Sequence, residues 1–475
     1  MEMEERHRYK EVGRHITALI DSAALLPGER LPSLRALSRQ LRVSIATVTQ
    51  AYLELEKTGI VEARPRSGYY VRQALRRLPR PESVPRPQLE PIAGNRSRLI
   101  QTVLGAVGSS DLLPLGVTGA APELLPGKLL AKLMAAECRG APEAAIGYEQ
   151  IAGHIELRRQ IALYLLGSGI AARPEEIIVT TGAMEALYIA IRALTRPGDT
   201  VLIQSPTYYC FLQLLESCGL RAVEIPSHPR TGVHPDDLRQ ALKRFDIRAC
   251  LLAPNFNNPD GSLTCEEARA EIMAILEEEE VPLIEDDVYG DVHFGPRRPG
   301  TLKARDRRGL VLYCNSFSKT IAPGFRVGYL LPGRFFPKAL EIKSTTNVTS
   351  ATPTQRALAA YLRQGHFERH LRRLRQTMEA QMRTLQLHLG CHFPAGTRVT
   401  QPEGGGALWV ELPPGVDGVE YFYRARAEGI GVVPGSVFST QDRFGNYVRL
   451  SCNGLWNEDL ARGVETLGRI AAEMA

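Results

Sequence analysis

Lys319 lies in the run Ser316-Phe317-Ser318-Lys319-Thr320-Ile321-Ala322-Pro323-Gly324-Phe325-Arg326-Val327-Gly328-Tyr329, one amine among small hydroxyls with a second cation close behind. A lysine attacks a carbonyl carbon as the free amine and holds it as a Schiff base. Ser316 and Ser318 offer hydroxyl donors to a phosphate, and Arg326 offers a planar fork. The run suits a carbonyl ligand that also carries phosphate. A solvated loop lysine looks the same in isolation, so the reading turns on residues elsewhere.

Four other segments supply such residues. Thr180-Thr181-Gly182-Ala183-Met184-Glu185-Ala186 follows a strand-like run and opens a helix, whose first N–H groups can cradle phosphate. In Ser205-Pro206-Thr207-Tyr208-Tyr209 an aromatic can stack on a ligand ring or simply fill the core. Asn258, in Asn255-Phe256-Asn257-Asn258-Pro259-Asp260-Gly261, can donate to a ring oxygen or serve turn geometry. Glu285-Asp286-Asp287-Val288-Tyr289 places Asp286 and Tyr289 three apart. The acids there lack histidine at ligand spacing, so no metal is expected.

The elements that must position these groups are short apolar runs: Ile177-Ile178-Val179, Thr200-Val201-Leu202-Ile203, Ala249-Cys250-Leu251-Leu252, Val281-Pro282-Leu283-Ile284 and Leu310-Val311-Leu312-Tyr313. Alternation of such runs with helical stretches predicts a mostly parallel sheet covered on both faces. Each motif falls just past a run, where open α/β sheets bind ligands. After about residue 335, a long charged helical region and the strand-like Ala407–Leu412 and Tyr447–Ser451 predict a smaller α+β domain.

The order and intervals of these motifs, over about residues 110–470, resemble the fold-type I pyridoxal-phosphate aminotransferases. The resemblance implies pyridoxal 5'-phosphate held as an aldimine on Lys319, with Asp286 at the pyridine nitrogen and Tyr289 and Asn258 at the phenolate oxygen. It implies phosphate contacts by Gly182, Ala183, Ser316, Ser318 and Arg326, with Tyr208 against the ring. Tyr148, in Gly147-Tyr148-Glu149-Gln150, matches a tyrosine that reaches the partner subunit's phosphate, so a homodimer is implied. Arg449 matches the arginine that grips a substrate α-carboxylate.

Residues 9–73 carry a different pattern: three helices and a two-stranded wing. Tyr9–Leu25 is amphipathic, Ser33 and Ser44 stand at N-cap positions before Leu34–Leu41 and a third helix ending near Lys57, and Gly59 stops that helix. Val48, Ala51, Tyr52 and Leu55 share one face, which leaves Thr47, Thr49 and Gln50 toward the open side. The stretches Gly28-Glu29-Arg30-Leu31-Pro32-Ser33-Leu34-Arg35, Val43-Ser44-Ile45-Ala46-Thr47-Val48 and Ser67-Gly68-Tyr69-Tyr70-Val71 resemble the winged helix-turn-helix of GntR-type regulators. That likeness implies double-stranded operator DNA as partner. It implies phosphate contact by Arg35, groove contacts by Ser44, Thr47 and Thr49, and wing contacts at Arg66 and Gly68. Ile45 stands where that family often has Arg, which opens contact with a thymine methyl.

Charge agrees with that division. The chain carries a formal net charge of +6, and residues 1–90 hold sixteen Lys plus Arg against eleven Asp plus Glu. A basic segment on a nearly neutral body is the footprint of a polyanion partner. Eight scattered cysteines without a C-x-x-C pair, and the lack of a long apolar run, predict a cytoplasmic protein with no membrane span. Five prolines in residues 76–91 mark a linker, which in an extended conformation reaches on the order of 50 Å, enough to place the head over a neighbouring subunit.

The expected domains are therefore a winged helix-turn-helix at 1–75, a Pro/Arg-rich linker at 76–95, and an aminotransferase-like domain at 96–475, divided near 335 into large and small parts. The whole arrangement resembles the MocR subfamily. It implies a regulator that senses an amino acid or amine through an external aldimine. Two alternatives stay open: a working aminotransferase with a DNA-binding head, and a sensor of pyridoxal phosphate itself.

Overall fold

The computed structural model describes residues 2–21, 24–25, 28–64, 67–72, 78–81, 84–93, 97–107, 109, 111–451 and 454–475. Two compact units result. One gathers residues up to Pro79 with 383–395 and 456–473; the other spans 80–382 with 396–455 and 474–475.

In the first unit, α1 (Glu2–Asp21), α2 (Leu34–Leu41) and α3 (Ile45–Lys57) precede the strands β1 (Val61–Arg64) and β2 (Gly68–Val71). Both predicted caps form. Ser33 Oγ accepts from Ala36 N–H at 3.2 Å and Ser44 Oγ from Thr47 N–H at 3.0 Å, each satisfying a donor that the first helical turn leaves free. Arg42 adopts φ +52 and turns the chain between α2 and α3. Val12, Ile16, Leu37, Val48, Ala51, Tyr52 and Leu55 close a core that also takes in Val61 and Val71 of the wing, with Leu387 packed against it. The wing is antiparallel, pairing Val61 with Val71 and Arg64 with Gly68.

Thr47 corrects the expected open face. It is buried, and its hydroxyl shares a hydrogen bond with Ser44 Oγ at 2.8 Å. At the third position of the helix, its side chain folds back onto the cap. Ile45 takes the exposed place instead, at 47% exposure.

The second unit is built on a nine-stranded sheet. Its strands are β3 (Ile92–Ala93), β4 (Ile178–Thr180), β5 (Thr200–Ser205), β6 (Arg221–His228), β7 (Gly232–Val233), β8 (Ile247–Leu252), β9 (Leu283–Asp286), β10 (Val311–Ser316) and β11 (Gly328–Leu331). The order is β3-β6-β5-β8-β9-β10-β11-β4, with β7 paired to β6. From β6 to β10 the pairs are parallel, while β11 runs antiparallel to both β10 and β4. The sheet is thus mixed, and β4 and β10 still end at the same edge.

Alternation along the strands assigns the two faces. Ile178, Val201, Ile203, Ile284, Leu312 and Cys314 pack with the helices 183–194 and 209–217 on one side. Leu202, Leu283 and Val311 join the helices 235–244 and 266–278 on the other. Val179 and Tyr313 extend that second face toward the helix 155–165. A separate four-stranded antiparallel sheet, in the order β12-β13-β15-β14, contains β12 (Arg398–Val399), β13 (Leu408–Glu411), β14 (Val433–Pro434) and β15 (Tyr447–Leu450).

The proline-rich segment is not a free tether. Arg80 donates to Gln401 at 2.6 Å, and Gln88 exchanges two hydrogen bonds with the side chain of Gln441, at 2.9 and 2.7 Å. The segment then enters the sheet as β3 against β6. Polar side chains of the unit satisfy backbone groups that proline-rich chain leaves unpaired. Among the described residues no helix is long and apolar enough to cross a membrane.

Candidate functional site

Five strand ends deliver the predicted residues to one edge of the large sheet. β4 is followed by Gly182, β5 by Tyr208, β8 by Asn258, β9 by Tyr289, and β10 by Lys319. Hydrogen bonding fixes each strand, so each side chain inherits a definite position.

Gly182 has φ +77 and caps the helix that begins at Ala183. A Cβ there would lie 2.4 Å from Arg326 Nη2, so the absence of a side chain is what lets the guanidinium sit over the turn. Arg326 itself adopts φ +51 and donates to Ser318 Oγ at 3.3 Å; Ser316 Oγ accepts from the Ser318 N–H at 3.4 Å. One cation, two hydroxyls and a helix N-terminus thereby converge. Behind the turn, buried Lys343 bonds both oxygens of Glu185 at 3.0 and 3.1 Å, and Glu185 also accepts from the Thr181 N–H.

Lys319 Nζ lies 5.3 Å from the centre of the Tyr289 ring, and the Tyr289 hydroxyl donates to the Thr118 carbonyl at 3.0 Å. Three buried carboxylates follow one another at the end of β9, and their partners distinguish them. Glu285 accepts from the N–H groups of Leu302 and Lys303, and Asp287 is paired with Arg298. Among the described residues Asp286 accepts only from the Val288 N–H, at 3.3 Å. Burial pushes the Asp286 carboxyl up to about 7, with Asp287 adding to the rise and the Val288 N–H and Lys319 opposing it. Among the described residues Asp286 has neither the ion pair of Asp287 nor the second hydrogen bond of Glu285.

Arg449, on β15, is 1% exposed. Its Nη1 donates to Asn258 Oδ1 at 2.9 Å and its Nη2 to the Gly116 carbonyl at 2.6 Å, while Nε has no partner among the described residues. The rings of Phe438 and Tyr209 flank it at 5.3 and 5.9 Å. A buried guanidinium with neutral partners is incomplete without an anion.

Tyr208 packs beside Tyr209 and Phe211. Tyr148 stands apart, 91% exposed and without a hydrogen bond or ring contact among the described residues, with Ile146 exposed beside it. In the first unit Arg35, Ser44 and Thr49 lie at the surface or half-buried, Gly68 begins β2 with φ +108, and Arg66 falls outside the described residues. Asp287, Arg298 and the backbone carbonyls of Gly116 and Thr118 escaped the sequence reading. The triple acid at 285–287 was the available signal, but nothing in it distinguished one carboxylate from the next.

The family model for aminotransferase class I and II matches residues 121–467, and the model for bacterial regulatory proteins of the gntR family matches residues 8–71. The chain belongs to the gntR-type regulators fused to a class I and II aminotransferase. This fusion is 33% identical to the uncharacterized HTH-type transcriptional regulator YjiR of Escherichia coli K12, over 97% of this chain and 98% of that one. Its body is similar to the crystal structure of LysN, the alpha-aminoadipate aminotransferase of Thermus thermophilus, complexed with N-(5'-phosphopyridoxyl)-L-leucine. That similarity has a TM-score of 0.73 and 30% identity, and covers 79% of this chain and 95% of that one. A Pyrococcus horikoshii kynurenine aminotransferase structure is similar at a TM-score of 0.74 and 26% identity, over 80% and 96%.

The cofactor of this regulator is pyridoxal 5'-phosphate, and the residues present fit it. Asp286 lacks the cation that a protonated pyridine would provide, and the Arg326–Ser318–Gly182 cradle suits the phosphate. The protein is a pyridoxal-phosphate-dependent, DNA-binding regulator in its architecture.

Proposed function

We propose that this regulator, of the MocR type, senses an amino acid or amine through its cofactor and changes its hold on operator DNA in response. Bound pyridoxal phosphate supplies an aldehyde that condenses with amines and a ring that withdraws electrons. Lys319 would provide the amine that holds the cofactor, and a ligand amine would compete with it. Asp286 holds a proton on the ring nitrogen, and Tyr289 and Asn258 hold the ring oxygen. Tyr208 covers the ring, while Gly182, Ala183, Ser316, Ser318 and Arg326 bind the phosphate. Arg449 orients the ligand by its carboxylate.

The observation that carries this reading is the burial of Arg449 with neutral partners alone. A planar fork in that setting selects a carboxylate over a neutral group. Tyr148, exposed with Ile146, supports a homodimer in which it reaches the partner's phosphate. At the head, Arg35 is proposed to hold a DNA phosphate, Ser44 and Thr49 to face the major groove with Ile45, and the wing at Gly68 and Arg66 to follow the backbone. The proposed domains are a head at 1–75, a linker at 76–95 and a body at 96–475. Among the described residues the cysteines form no disulfide, which suits a reducing cytoplasm.

Regulation requires that the ligand bind two states of the protein with different affinity. The test is a titration of the holo-protein with amino acids and amines, following cofactor absorption and operator affinity together. A lasting spectral change that alters DNA affinity supports the sensor. The meeting of Lys319, Asp286, Tyr289 and Arg449 in one body also suits turnover. Steady conversion to the pyridoxamine form, reversed by an oxo acid and without effect on DNA binding, assigns the body to transamination. A response of DNA affinity to cofactor alone assigns it to sensing pyridoxal phosphate.

A further inference from the structure

Three of the loops that carry the site meet at one buried carboxylate that none of the roles above uses. Asp287 Oδ1 accepts from Asn255 Nδ2 at 2.7 Å, and Asn255 begins the loop that holds Asn258. Asp287 Oδ2 accepts from the Tyr313 hydroxyl at 2.6 Å and from Arg298. The Tyr313 oxygen accepts in turn from Asn315 Nδ2 at 2.8 Å, and Asn315 Oδ1 accepts from the Ser316 N–H at 2.6 Å. The chain of bonds thus runs from the Asn258 loop, through the residue next to Asp286, to the loop of Ser316 and Lys319.

The hub is built tightly. Asp287 is fully buried, and a Cβ on Gly290 would fall 2.3 Å from its Oδ1 and 2.6 Å from Arg298. Arg298 is itself held by Asp291 Oδ1 at 2.8 Å and by the Pro299 carbonyl at 3.1 Å. Arg298 pairs with both Asp287 and Asp291, and the two oxygens of Asp287 accept from Asn255, Tyr313 and Arg298 in a dry interior where such bonds are strong. Glu285, by contrast, bonds only to backbone N–H groups of its own neighbourhood.

We propose that Asp287, paired with Arg298, is a positioning residue that fixes Asn258, Asp286 and Lys319 relative to one another and so holds the cofactor ring in a single orientation. The inference rests on the cofactor site proposed above. Asparagine cannot replace it, because one acceptor oxygen becomes a donor facing Arg298 and Tyr313.

The test compares Asp287→Asn and Tyr313→Phe with the wild type, adding cofactor to the apo-proteins and recording affinity and the visible circular dichroism per bound cofactor. Both variants should bind roughly tenfold more weakly, the size of one hydrogen bond to a charged group. At saturation their dichroism should fall, which a loss of stability alone leaves unchanged. Wild-type affinity with full dichroism in both variants overturns the proposal. If Asp287→Asn does not fold, Tyr313→Phe decides by the same two readouts, since it removes a single hydroxyl. A Lys319→Ala control separates the two levels: if the visible absorption of the wild type does not depend on Lys319, the site reading itself fails.

Discussion

Arg449 Nη1 donates to Asn258 Oδ1 at 2.9 Å, joining residues 191 positions apart and bringing the group proposed to orient a ligand carboxylate against the residue proposed for the cofactor ring. The remaining neighbours of the guanidinium are a carbonyl and two aromatic rings. On the roles proposed above, ligand recognition and cofactor contact would be mechanically coupled: a carboxylate that drew Arg449 toward itself would change what Asn258 can do.

That coupling gives a stability prediction. Arg449→Met removes a buried charge that has no counter-ion among the described residues but orphans Asn258 Oδ1 and the Gly116 carbonyl, so the two effects offset and the apo-protein should unfold at nearly the same temperature. Binding of carboxylate ligands should weaken by roughly a hundredfold or more, as two charged hydrogen bonds are lost. Thermal unfolding and ligand titration on one preparation check both halves.

Asp286 gives a pH prediction. Its folded carboxyl titrates at about 7 against an unfolded value near 3.8, so the native state binds the extra proton between those limits. The contribution of Asp286 to apo-protein stability is therefore largest at low pH and is lost as pH rises from about 4 to about 7, at roughly 1.4 kcal/mol per unit within that window. Asp286→Asn should flatten this part of the stability profile. Cofactor should stabilise the wild type more at pH 8 than at pH 5, because the ring supplies the missing cation. Denaturant melts of both proteins across that range measure the difference.

Lys319→Ala should leave the phosphate cradle able to hold the cofactor while abolishing its covalent attachment. Borohydride treatment followed by intact-mass measurement should add cofactor mass to the wild type and none to the variant. Amino acids should no longer alter the operator affinity of the variant.

At the head, Thr47→Ala should lower stability by about 1 kcal/mol through the loss of its hydroxyl's hydrogen bond to Ser44 Oγ. Ile45→Ala should instead leave unfolding unchanged and weaken operator binding. Replacing thymine by uracil in the operator should weaken the wild type and spare the variant, which band-shift titrations at fixed salt can resolve.

Local chemistry was legible in the chain. Ser33 and Ser44 cap their helices because an N-cap needs only a hydroxyl and the backbone three residues on, and Gly182 turns the chain for want of a Cβ. The strand-like runs were legible because apolar continuity is written in consecutive residues. The strand β6 was not, because Arg221, Glu224, Ser227 and His228 interrupt its apolar pattern, and pairing with β5 and β3 supplies what composition withholds.

By itself, then, the sequence determined which residue types stand at each strand end and which helices are capped, since those depend on neighbours a few positions away. The tertiary structure alone decided the rest: that Asp286 has neither the ion pair of Asp287 nor the two hydrogen bonds of Glu285, that Thr47 turns inward, that the proline-rich segment is pinned by Gln441, and that Arg449 is buried without an anion among the described residues. These are set by what surrounds each side chain in the folded interior and by exclusion of water, and neither is encoded in local spacing.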